Sequence, residues 1–267
     1  MGTTHIPGGD NSSRPTVMRP TKQVLVVVDL LEELLGAFLE AGGRPRFEGK
    51  WSSHDEAKSL TYLLTRNVEA VMELGRRDLV LISPATSCAR VAFEVSTRLT
   101  WLLYPEDPYE REARWLSLLA EEEAYHRYFD QVTDPKASKN GIADDLRKFI
   151  EAVQDKLPEG VTVPKRIPKL KEMLDEQGRG ENYLGYRISS QYVHGTAVTG
   201  RHYRKNLGTA VRFGEFTTAM DWMTPLDLCW FSIGVASDLY LKRLGVGCLR
   251  FRPELLTDYK DALAQLG

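Results

Sequence analysis

The chain has 267 residues, 42% of them apolar and 27% charged, with a formal net charge of −2. That composition sustains a packed core and excludes a disordered polymer. The near-neutral balance excludes a surface that binds nucleic acid everywhere, although a local basic patch is compatible with it.

Residues 1–21 are rich in Gly, Pro, Ser and Thr and lack the apolar run of a signal peptide, so a flexible tail is expected. Residues 22–41 read as a helix, with Leu30, Leu31, Leu34, Leu35 and Phe38 at three- and four-residue steps, stopped by Gly42-Gly43. A loop through Trp51 follows. Ser53 as N-cap and Glu56 three residues later predict a capping box, opening a helix to about Arg77. Pro84 opens the next helix, which Pro105 and Pro108 end. Residues 109–130 form a helix with Trp115, Leu118, Leu119, Tyr125 and Phe129 on one side. Lys136–Gly141 is a loop, and residues 142–156 an amphipathic helix closed by Pro158 and Gly160.

The proline-containing segment 156–168 is the best internal boundary, although the helices flanking it are expected to share one core. A short charged helix covers 168–176, and a polar-faced helical stretch covers about 181–206. Residues 209–223 are ambiguous. Thr224-Pro225 starts a long apolar helix to about Leu244, and Pro253 a last short one. Residues 22–267 therefore read as a single all-α domain, a helical bundle with additional peripheral helices. No segment reaches the ~18 apolar residues of a membrane span, so no membrane association is expected. The cysteines, Cys88, Cys229 and Cys248, are odd in number and contain no CxxC pair. Neither a disulfide framework nor a zinc site is expected, and a reducing cytoplasm is the natural compartment.

Two stretches concentrate chemistry. In Tyr183–Arg204, Arg187 and His194 are seven residues apart, close to two helical turns, and so about 10 Å apart along one face. Ser190 and Gln191 lie between them, and Gly195 would let the helix end or bend. Between Arg179 and Arg212, six basic residues stand against the single acid Glu181, a local charge of +5. The second stretch is the helix at 85–104, where Arg90, Glu94 and Arg98 recur every four residues on an otherwise largely apolar helix. Charges on such a helix need partners: each other, His194, Tyr186 or a ligand. The prediction is that this helix packs against 181–194.

The segment ARVAFE, the following TRLTWLLYPEDPYEREARW and the later YRISSQYVHG together resemble an uncharacterised family of helical bacterial proteins. The residues carrying the likeness are Arg90 and Glu94, Trp101-Leu102-Leu103, Arg111 and Arg114, and Tyr186, Ser190, His194 and Gly195. That resemblance spans about 85 to 200, implies an all-helical fold and assigns no activity. Arg187-x6-His194 is also similar to the Arg-x(4–6)-His element of the HEPN superfamily, with Glu94 as the earlier acid. Ile188 departs from the polar residue common after the Arg in that family. The HEPN likeness implies a homodimeric, metal-independent endoribonuclease of a toxin or antiphage system, with RNA as substrate and an antitoxin as a further partner.

On that reading His194 transfers protons, Arg187 stabilises the scissile phosphate and Glu94 completes the catalytic set. Arg90, Tyr186 and Ser190 bind substrate or orient these groups. Arg201, His202, Arg204 and Lys205 hold flanking phosphates, and Tyr203 stacks on a base. No cofactor is required. The alternative is a non-enzymatic interaction or small-ligand-binding module in which Arg90, Glu94, Tyr186 and His194 form a buried network. A third reading, a carboxylate-bridged metal protein, rests on Glu123 and His126 as a single Glu-x-x-His unit, where two are normally needed. The motifs of serine hydrolases, P-loops and Rossmann folds are absent.

Overall fold

The computed structural model describes residues 17–42, 51–133, 141–197, 199–207, 210–213, 215–246 and 254–266. The helices among them are α1 (Lys22–Gly42), α2 (Ser52–Arg77), α3 (Ile82–Leu103), α4 (Pro108–Thr133), α5 (Ile142–Gln154), α6 (Leu170–Glu176), α7 (Tyr183–Val193), α8 (Met223–Arg243) and α9 (Leu255–Ala264). The fold is all-α as the periodicity predicts, with one small addition. Strands β1 (Arg204–Leu207) and β2 (Ala210–Phe213) form an antiparallel hairpin pairing Arg204 with Phe213 and Leu207 with Ala210.

Helix α3 is the centre of the bundle. It packs on α2, α8, α7, α6 and α4, while α1 lies across α8, α9 and α2. Small residues let α3 sit close to its neighbours: Ala85, Ala89, Ala92 and Ser96 are all buried, and the Ser96 hydroxyl donates to the Ser232 carbonyl of α8 at 2.8 Å. Buried Trp222 donates its indole N–H to the Leu79 carbonyl at 2.9 Å, tying the start of α8 to the turn before α3. Gly75 makes room for that indole, since a Cβ there would lie 3.1 Å from the ring. Helices from both sides of the 156–168 segment contribute to one continuous core.

The stretch Leu79–Leu103 is long and apolar enough to cross a membrane by length and composition, which corrects the expectation that no segment is. In this fold it is the core helix. The carbonyls at its C-terminal end are covered by three arginines. Arg114 donates to Trp101, Arg111 to Pro105 and Glu106, and Arg243 to Leu103, Tyr104 and Pro105. Arg111 and Arg114, two of the residues behind the family resemblance, therefore close a helix end.

Four local expectations are corrected. Val17–Thr21 is not loose chain: the Met18 N–H donates to Asp78 Oδ1 at 2.9 Å, and the Met18 carbonyl accepts from Leu79 N–H. The rest of the expected tail, 1–16, lies outside the described residues, as do 134–140, Gly208, Cys248 and Pro253. Ser53 does not cap α2. It sits inside the first turn, and its N–H donates to Glu112 Oε1 of α4 at 2.7 Å. A carboxylate from a distant helix does the capping, favoured there by the helix dipole. The expected apolar side of α4 is divided, with Trp115 against Phe149 of α5 while Tyr125, Tyr128 and Phe129 are exposed. Finally, the helix read through to 206 ends at Val193. His194 closes it and Gly195 takes a left-handed φ of 57°, a conformation that suits glycine.

Candidate functional site

Helices α3 and α7 do pack, and a four-residue network joins them. Arg90 is the hub: it donates Nε–H to Ser190 Oγ at 3.1 Å, and its Nη2 to both Glu94 Oε1 and the Tyr186 hydroxyl at 2.8 Å. The guanidinium carbon also lies 4.9 Å from the Tyr186 ring centroid. Tyr186 stacks between Phe93 of α3 and Tyr183 of its own helix. The Ser190 hydroxyl donates to the Tyr186 carbonyl one turn back. The Arg90 side chain is 15% exposed and that of Glu94 30%, so water screens this ion pair only in part. Spacing explains the geometry: 90 and 94 are one turn apart on α3, as are 186 and 190 on α7.

Arg187 and His194 stand apart from this network. Both are exposed, and neither the guanidinium nor the imidazole bonds to another described side chain. Arg187 sits roughly 100° around the helix from Tyr186, so when Tyr186 faces α3, Arg187 faces solvent. Ser190, expected between Arg187 and His194 on one face, turns inward to Arg90 instead. The half-buried network thus contains Arg90, Glu94, Tyr186 and Ser190 without His194.

Beyond α7, Arg201, Tyr203 and Arg204 are exposed, with Tyr203 and Arg204 on a shallow hollow beside Gly195 and Thr196. Lys205 lies in β1, its side chain outside the described structure. His202 is a correction. It is only 2% exposed, its Nε2 lies 2.9 Å from the Tyr192 hydroxyl, and its Nδ1 faces Asp221 at 3.9 Å. Asp221 accepts from the N–H and hydroxyl of Thr218. A phosphate on the surface does not reach this imidazole, which joins the end of α7 to the start of α8. Burial pushes the His202 pKa below its ordinary value, with Arg201 adding to the shift and Asp221 opposing it. His54 is likewise lowered, first by burial and then by Arg111.

A histidine depressed in the fold contributes stability that is complete above its unfolded pKa and lost as pH falls through the folded one. Unfolding free energy is therefore expected to fall as pH drops from about 6.5 toward 5. In His202→Gln the slope should be shallower, as measured by urea unfolding across that range. An unchanged slope assigns the acid sensitivity to other groups.

Glu123 and His126 do not build a metal centre of the expected kind. Glu123 is tied to Arg127, and His126 faces Glu122 at 3.7 Å. Among the described residues no three His, Cys, Asp or Glu side chains converge to hold a metal ion. Arg98, in register with Arg90 and Glu94, turns outward to Glu121 of α4 at 2.8 Å.

A cleft of about 760 Å³ opens between α7, α8 and α9. Phe93, Leu184, Ile188, Trp230, Phe231 and Leu256 supply apolar wall, and Gly185 and Gly234 lie in its lining. Gly185 brings α7 close to α8, since a Cβ there would meet Leu228 at 3.1 Å. Gly234 faces open space. Trp230 is backed by buried Tyr259, the two rings stacked at 3.8 Å. Asp227 is exposed at the cleft, and partial loss of hydration to the surrounding protein raises its carboxyl above the usual range. The Arg90 network adjoins this cleft: Phe93 lines it and stacks on Tyr186, and α7 contributes residues to both. The two glycines on helices were the available sequence signal for the cleft; Asp227 and Trp230 carried none.

Set against family models, characterised proteins and solved structures, the chain matches none.

Proposed function

We propose that this protein is a non-enzymatic helical binding module of the cytoplasm whose cleft between α7, α8 and α9 receives a small, mainly apolar ligand. The observation that carries this reading is the cleft itself. At about 760 Å³ it falls within the size range of small-molecule sites, and its walls are largely apolar and aromatic, with the carboxylates of Glu181, Asp227 and Asp238 also among the lining. The polar cluster behind it supports the same reading. Arg90, Glu94, Tyr186 and Ser190 satisfy one another, which suits a rigid wall better than a reactive centre. The test is a titration with the neutral fluorophore N-phenyl-1-naphthylamine. Saturable one-site enhancement, with a ligand-dependent rise in Tm, is expected. Absence of saturable binding removes the reading.

A second reading keeps one specific observation in its favour. Arg187 and His194 are exposed and uncommitted, near exposed Arg201, Tyr203 and Arg204, as a HEPN-like ribonuclease acting as a homodimer on RNA would need. If that reading holds, the protein cleaves RNA in EDTA to leave 2′,3′-cyclic phosphate ends. His194→Ala would then lower the rate by roughly a hundredfold without lowering Tm. Wild-type protein inert beside an active metal-independent ribonuclease rules it out.

A further inference from the structure

We propose that the ligand of this cleft is a long unbranched hydrocarbon chain, the body of an alkyl or acyl amphiphile lying lengthwise along α8. The inference rests on the reading of the cleft as a ligand site and concerns the shape of what fills it. The lining residues of α8 run from Met223 to Asp238, about four turns and about 22 Å of helix. A compact hollow of about 760 Å³ would measure only about 11 Å across, so this space is drawn out into a slot along the helix.

The slot runs lengthwise because of how α7 meets α8. Tyr192, at the end of α7, reaches Asp221, ahead of α8, through His202. Earlier on α7, Gly185 packs on Leu228 of α8. Residue numbers therefore fall on α7 as they rise on α8, and the two helices run antiparallel. Ile188 and Leu184 follow one another as one lip of the slot, and Leu256 of α9 belongs to the other. These three side chains are 46%, 66% and 45% exposed, so a chain laid between them covers apolar surface on both sides at once.

Gly234 keeps the slot undivided. It follows Phe231 by three residues on α8, and a Cβ there would meet nothing within 4 Å. A chain can therefore pass from Phe231 to Val235 against the bare backbone. The carboxylates of Glu181, Asp227 and Asp238 are exposed and stay in water at the rim, so the chain needs no contact with them.

Chain length is the readout. Each methylene laid on apolar lining should raise affinity roughly two- to fourfold while the slot lasts. A slot of about 22 Å accepts an extended chain of twelve carbons with room to spare, whereas a compact hollow about 11 Å across is filled by about eight. The experiment is displacement of N-phenyl-1-naphthylamine from the full chain by 1-hexanol, 1-octanol, 1-decanol and 1-dodecanol, each below its solubility limit. The branched isomer of 1-decanol, 2-propyl-1-heptanol, is the control for shape at equal composition. Affinity is expected to climb with every methylene through 1-dodecanol, and 1-decanol to bind roughly fivefold tighter than its branched isomer. A plateau at 1-octanol, or equal binding of the two isomers, overturns the chain-shaped ligand and leaves the cleft as an apolar site. Saturable binding of the fluorophore that no alcohol displaces overturns it as well. Failure of fluorophore and alcohols alike to bind removes the reading of the cleft and this inference with it.

Discussion

Arg90→Ala is expected to destabilise the protein by roughly 3 kcal/mol, because one side chain makes the polar contacts that hold α7 on α3. Its removal breaks three hydrogen bonds and the contact with the Tyr186 ring, and leaves Glu94 without its cation on a largely apolar helix. The estimate is at the low end for buried pairs because both side chains retain some contact with water. Urea unfolding measures it. Glu94→Ala added to Arg90→Ala should cost much less than the sum of the two single changes, since the orphaned carboxylate is then gone. A loss below about 1 kcal/mol for Arg90→Ala would mean that apolar packing alone positions α7.

The helices were legible because their apolar residues repeat at helical spacing and their ends carry punctuation. Lys22–Gly42, Pro108–Thr133 and Met223–Arg243 all follow within a few residues of the expected limits. The pairing of α3 with α7 was legible for a different reason. Arg90 and Glu94 sit on a helix too apolar to face water, and Tyr186 and Ser190 offered partners at matching four-residue spacing.

What escaped the sequence are relations between distant residues. Nothing near Ser53 announces that Glu112, 59 positions later, will accept from its N–H. Nothing in GRHYR distinguishes buried His202 from exposed Arg201 and Arg204, because the distinction depends on Tyr192 and Asp221 closing around the imidazole. The pairing of Arg187 with His194 was inferred from an ideal helix running through both. The helix stops at Val193, and its inward face belongs to Tyr186 and Ser190. A cleft is the hardest feature to foresee, being the volume that packing leaves unfilled. Its faint trace in the sequence is glycine inside helices, at Gly185 and Gly234, where alanine would suit an isolated helix better by about 1 kcal/mol.

Gly234 also supplies the most direct test. A Cβ added there meets no atom within 4 Å, and the position lines the cleft, so Gly234→Leu should extend into that space without displacing the backbone. Replacing a helical glycine should leave stability equal or raise it by about 0.5–1 kcal/mol. The decisive measurement is the titration of wild type and Gly234→Leu with N-phenyl-1-naphthylamine, with Tm recorded for both. Saturable binding by wild type, lost in a variant that melts no lower, is the predicted result. Equal binding by both proteins would contradict the assignment of the cleft between α7, α8 and α9 as the ligand site.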